Sequence, residues 1–165
     1  MKKIIFLFLI FSAVAFTEWE YSIRHNDYGV KFNEFTVYSI EDNSQLTVAI
    51  TTDIHPGFSV VAIFNDKIKA KNNISLIIVN NVEEEDYFKY SVFKKDIENG
   101  AIRVRNLDNY NRGDSLTKML LSAQAVMLFN DDTEEVLTSF ISLGLKEIIE
   151  KKLGNSYWYK YKINE

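Results

Sequence analysis

Along residues 19–104 the apolar positions fall into short runs rich in β-branched and aromatic residues, and each run ends in turn-forming residues. This pattern predicts strands over 18–24, 35–40, 46–51, 58–64, 74–79, 87–93 and 101–105. The punctuation is Asn26-Asp27, Glu41-Asp42-Asn43-Ser44, His55-Pro56-Gly57, Asn65-Asp66, Asn72-Asn73, Asn80-Asn81 and Asn99-Gly100. Asn, Asp and Gly tolerate the left-handed conformations that tight turns require. Alternation around Phe35 and Val37 marks a strand with one buried face, whereas the unbroken apolar run Ile74 to Val79 reads as a strand buried on both.

After residue 113 the period changes. Leu116, Met119, Leu120 and Ala123 stand at i, i+3, i+4 and i+7, which places them on one helical face behind a cap at Asp114 or Ser115. The run Ala125 to Phe129 fits helix or strand, and the strand is favoured because Asn130-Asp131-Asp132-Thr133 makes a turn into another β-rich run, 136–141. Beyond Gly144, Leu145, Ile148, Ile149 and Leu153 share a second helical face, with Gly154 as the stop. The tail from Asn155 reads as a final strand or an exposed aromatic arm. The predicted fold class is α+β, mainly β: an antiparallel sheet or sandwich with two helices in the C-terminal half.

The N-terminus follows a different logic. Lys2 and Lys3 precede the apolar run Ile4 to Ala15, and Ala13-Val14-Ala15 offers small residues before a cut at Phe16. That is the order of a secretory signal peptide, and the run is shorter than the roughly 20 apolar residues of a spanning helix. The expected organisation is a signal peptide over 1–15 and one β-rich domain over 16–165, periplasmic or secreted, with no stable membrane insertion after cleavage. The chain has 165 residues, 47% of them hydrophobic, and no Cys, so stability must come from packing rather than disulfides. The 19 basic against 23 acidic residues give a net charge of −4, and loss of Lys2 and Lys3 makes it more negative. The charge balance therefore argues against a nucleic-acid ligand.

Candidate chemistry is sparse. His25 and His55 are the two histidines, and Asp53-Ile54-His55-Pro56-Gly57 places a carboxylate near one of them within a turn. Nucleophile-elbow, HExxH and phosphate-loop motifs do not occur. The acidic runs Glu83-Glu84-Glu85-Asp86 and Asp131-Asp132-Thr133-Glu134-Glu135 lack the spacing that wraps one calcium ion and read as solvated turns. The segment 106–114 is loop-like, but Tyr110 and Arg112 stand where ligands would be needed. Arg112-Gly113-Asp114 spells a short adhesive tripeptide, but the turn into a capped helix explains it, and Asn73-Ile74-Ser75 fits a glycosylation sequon. No catalytic residue, metal site or cofactor is expected from these patterns.

Aromatic residues form 14% of the chain, and Trp19, Tyr21, Tyr157, Trp158, Tyr159 and Tyr161 gather near its two ends. If the ends pair as neighbouring strands, these rings form a surface for a sugar, peptide or protein; packing within the fold uses the same residues. On the first reading, removing residues 157–165 weakens partner capture without unfolding the domain.

Phe88-Lys89-Tyr90, Gly100-Ala101-Ile102, the helix around Met119-Leu120 and the stretch Ser139 to Leu145, with its Phe140-x-x-x-Gly144 core, carry a resemblance. Over residues 87–153 the chain resembles small exported bacterial proteins of the invasion-associated locus B type and the type VI secretion-associated VasI (TagO) type. It departs from them in lacking cysteines and in having Lys89-Tyr90 where a Tyr-Arg pair is more typical. The resemblance implies a small periplasmic β-rich domain without established enzymatic activity.

The expected function is a non-enzymatic envelope accessory domain that binds a protein or glycan. Two alternatives stand beside it. One is an inhibitor of a lysozyme or protease that presents rigid loops. The other is a small hydrolase using Asp131, Asp132, Glu134 or Glu135, since a carboxylate pair assembled in space leaves no spacing signature.

Overall fold

A computed structural model describes residues 18–106 and 111–164. The signal-peptide reading of residues 1–15, the start at Phe16, and Asp108 and Tyr110 of the loop lie outside the described residues. Among the described residues ten strands form two antiparallel sheets. The first has the order β1 (Glu20–His25), β2 (Lys31–Tyr38), β3 (Gln45–Thr51), β4 (Phe58–Phe64), β8 (Ala101–Val104), β7 (Ile97–Glu98). The second has the order β10 (Glu135–Ile141), β9 (Ala125–Asn130), β5 (Ile74–Asn81), β6 (Asp86–Ser91). Helix α1 (Arg112–Ser122) and helix α2 (Leu145–Leu153) complete the α+β, mainly β architecture.

Alternation in β2 turns Phe35 and Val37 inward beside Leu46, Val48 and Ile50 of β3 and Val61 and Ile63 of β4. The facing layer is supplied by Ile74, Leu76 and Ile78 of β5 and Val126 and Leu128 of β9, with Leu116 and Leu120 of α1 in the same cluster. The continuous apolar run of β5 is buried on both faces: Ile77 and Val79 join Ala125 and Met127 in a second cluster. Polar ties also link the sheets. Thr138 of β10 donates to Ser39 Oγ at 2.9 Å and to Asp42 Oδ1 at 3.1 Å, and Ser139 donates to Glu41 at 3.1 Å. The β2–β3 turn is thereby fastened to the second sheet.

The boundaries depart from the sequence pattern where a residue has a tertiary partner. β2 starts at Lys31, which pairs with His25 of β1, and Asn33 is turned inward with Phe35, where it donates to the Ile50 carbonyl at 3.3 Å. β6 ends at Ser91, and Phe93 leads into a short helical turn, Lys94–Asp96. α1 starts at Arg112, so Asp114 is no cap. Its first turn is capped from upstream by Asn106 Oδ1, which accepts from Gly113 N–H at 2.9 Å and Asp114 N–H at 3.4 Å. The tail is neither strand nor exposed arm. Ser156 Oγ accepts the Tyr159 N–H at 3.1 Å and donates to the Leu153 carbonyl at 2.6 Å, and a wide helical turn, Tyr159–Ile163, follows. Trp158, Tyr159 and Ile163 of this tail belong to the main core.

Candidate functional site

The tail's conformation is set by one buried carboxylate. Asp114 Oδ1 accepts hydrogen bonds from Ser59 N–H at 2.7 Å, Ser59 Oγ at 2.8 Å and Trp158 Nε1 at 2.9 Å, and Oδ2 accepts from Asn106 Nδ2 at 3.0 Å. A buried carboxylate needs several donors to offset lost hydration, and here four converge. Two glycines make the approach possible. A Cβ on Gly113 would sit 2.0 Å from the Ser59 carbonyl oxygen, so α1 reaches β4 only without a side chain there. A Cβ on Gly57, whose φ is +85°, would sit 2.8 Å from the Thr51 carbonyl and 3.0 Å from Trp158 Cβ.

With Trp158 pinned, Tyr157 and Tyr161 are placed four residues apart on one face of the turn, looking outward. Their ring centroids are 4.4 Å apart and tilted by 31°. The His55 ring, from the β3–β4 connection that Gly57 closes, lies 4.4 Å from Tyr157 on the same surface. Tyr157 is 47% exposed and Tyr161 51%. The result is a ladder of three rings with two phenol hydroxyls and an imidazole, standing on a fully buried indole. Rings held in place by packing offer a partner contact area without a large loss of side-chain freedom on binding.

The other terminal aromatics do not join it. Trp19 is 4% exposed and lies in a small apolar depression with Leu143, Gly144 and Ile148 at α2. Tyr21 is partly buried on β1, donates to Asn33 Oδ1 at 2.9 Å and lies beneath Lys152 of α2. Trp158 and Tyr159 are core residues, and partial burial, then Glu150 and Glu147, raises the Tyr159 hydroxyl above the ordinary tyrosine value. The ends do not pair as strands, since β1 is an edge strand whose neighbour is β2. Of the six aromatic candidates, Tyr157 and Tyr161 form the accessible pair, and His55 completes their surface.

Several of the remaining sequence candidates have structural occupations. Arg112 pairs with Asp96, whose side chain is 1% exposed, and lies 4.2 Å from the Phe93 ring, so the Arg112-Gly113-Asp114 tripeptide faces inward and its adhesive reading does not hold. Burial works against the Arg112 charge, but Asp96 and then Tyr90 outweigh it and raise its proton affinity. Asp131 accepts from Ser75 Oγ at 2.6 Å and pairs with Lys89 at 2.6 Å. Asp132 accepts from Asn73 N–H at 2.8 Å and Asn73 Nδ2 at 2.6 Å, which holds its carboxyl below the ordinary aspartate value. Glu134 and Glu135 are exposed at the β9–β10 turn, where Glu134 adopts a φ of +56°. The run 83–86 is an exposed turn whose N–H groups at Glu83 and Glu84 bond Asn81 Oδ1. Among the described residues no three His, Cys, Asp or Glu side chains cluster closely enough to hold a metal ion.

No family model, curated protein or solved structure matches this chain. The ladder offers flat apolar faces and three polar edges, and the carboxylate bound to its neighbouring indole, Asp114, is already hydrogen-bonded.

Proposed function

We propose that this chain is an exported, non-enzymatic accessory domain that binds another component of the cell envelope through the His55, Tyr157 and Tyr161 ladder. The observation that carries the reading is the division of labour in the tail: Trp158 and Asp114 hold the backbone from within, so that the neighbouring tyrosines are displayed outward. Tyrosine is over-represented at the energetic centres of interfaces, and a ring already fixed by its neighbours loses little entropy when covered. The charged, apolar, small-residue order of the first fifteen residues supports export. The resemblance of residues 87–153 to small exported bacterial proteins points the same way. The engagement of Asp131 and Asp132 in holding the β9–β10 turn to the start of β5 favours binding over hydrolysis.

The test is capture from envelope extract by the tagged protein beside a Tyr157→Ala, Tyr161→Ala double variant of unchanged circular dichroism. A truncation would remove Trp158 with the ladder and is unsuitable. Loss of a partner in the double variant is the expected result, and equal retention by wild type and variant overturns the ladder as the binding surface.

A further inference from the structure

The outward face of the six-stranded sheet is a trough, and its chemistry differs from that of the ladder. Cross-strand register puts Thr36 opposite Thr47, Thr47 opposite Ala62 and Ala62 opposite Arg103; the next row holds Glu34, Ala49 and Val60. These small side chains floor a cleft of 750 Å³. At its centre Thr47 is only 8% exposed and Ala62 9%, although both line the open cleft. Aromatic residues stand at both ends: Tyr38 and Phe64 at one, and at the other Phe32, whose ring meets that of Phe58 edge-on at 5.9 Å. From Tyr38 to Phe32 the strand rise gives a length of about 20 Å.

We infer that this trough is a binding site for an uncharged oligosaccharide chain. Three features select that chemistry. Both arginines that line it face carboxylates, Arg103 paired to Glu98 beside the Phe64 ring and Arg24 4.0 Å from Glu34. With Glu20 and Asp27 also at the rim, an anionic polymer meets no net attraction. The floor provides apolar Ala49, Val60 and Ala62 for the C–H faces of sugar rings. The Thr36 and Thr47 hydroxyls, 3.0 Å apart, use one O–H between them and retain the other, with spare lone pairs, for sugar hydroxyls. An extended peptide is disfavoured because the strand backbones beneath are already bonded to one another from β2 through β8. They offer nothing to a peptide's own N–H and C=O groups.

This site shares no residue with the ladder and does not depend on it. The test titrates the ¹⁵N-labelled protein with chitohexaose, cellohexaose and maltohexaose, each to about 1 mM. Expected are amide shifts at Thr47, Ala49 and Ala62 with at least one of the three. Tyr38→Ala and Phe64→Ala, each checked for fold by circular dichroism, should weaken binding about fivefold, and Tyr157→Ala should leave it unchanged. The inference is overturned if none of the three sugars shifts these amides, or if the Tyr38 and Phe64 variants bind as well as wild type. It is equally overturned if a neutral Ala-Thr decapeptide or a polyanion such as heparin occupies the trough instead. A concentration-dependent dimer abolished by the same variants would assign the face to a second copy and also overturn it.

Discussion

The corner around Asp114 and the trough on the outer sheet face are built from similar residues, namely hydroxyls, aromatic rings and close-packed small side chains, yet they are chemically opposite. At the corner the charged and indole groups are fully engaged: the carboxylate has four donors, the indole N–H is bonded, and Gly113 is pressed against a carbonyl. In the trough the two threonine hydroxyls satisfy only part of each other, and the rings face an open cleft. The difference separates residues used in folding from residues left available for recognition. Spare hydrogen-bonding capacity and exposed ring faces, rather than residue type, distinguish the two. The ladder lies between these extremes: its indole base is consumed by the fold and its outer rings are not.

Trp158 carries the largest share of the corner's stability. Trp158→Ala empties a fully buried site and removes a donor from Asp114, so the expected loss is about 4 kcal/mol, read as a lower denaturant midpoint with unchanged slope. A loss under about 1 kcal/mol would mean that the tail is not part of the core. Next, Gly113→Ala forces α1 away from Ser59 and is expected to cost about 3 kcal/mol in the same measurement; a neutral result would show that the helix can slide. Tyr157→Ala should cost at most about 1 kcal/mol, because its stacking partners are on the surface, and a larger effect would move the ladder into the folding category.

The smallest effect is expected in acid. Partial burial pushes the Asp42 carboxyl up, but hydrogen bonds from Ser44 and Thr138 and the nearby Lys67 outweigh it; Asn73 lowers Asp132 as well. Both folded values lie below the unfolded one, so their contribution is complete above about pH 4 and is lost as pH falls through the lowered values. The denaturant midpoint should therefore be flat from neutrality to about pH 5 and fall below about pH 4. An Asp42→Asn, Asp132→Asn double variant should show a shallower fall, and an identical slope would remove these two groups as its cause.

Much of the architecture follows from local pattern. The run Phe58 to Phe64 is a strand over those residues, Gly144 opens α2 with a φ of +88°, and the apolar run after residue 124 is the strand β9. Local reading falls short where a residue's partner is distant. The two-residue strand β7 is too short to carry a period and exists because it pairs with β8. Asp114 is a reasonable helix cap by position, but Ser59, 55 residues away, uses its carboxylate instead.

The sequence alone carries the strand and helix periods, the turns and the mainly β class, because these depend on neighbours a few residues apart along the chain. It also named Tyr157 and Tyr161, though as part of a larger set. That adjacent Tyr157 and Trp158 have opposite fates, one on the surface and one in the core, emerges from three-dimensional packing. The indole's destination is a carboxylate 44 residues away, brought into reach by the packing of α1 on β4. The trough is likewise a product of register: its residues come from five strands, and β8 lies beside β4 only after the chain has built two strands of the other sheet. Such surfaces arise from which strands become neighbours, and the spacing of residues within any one strand does not contain that information.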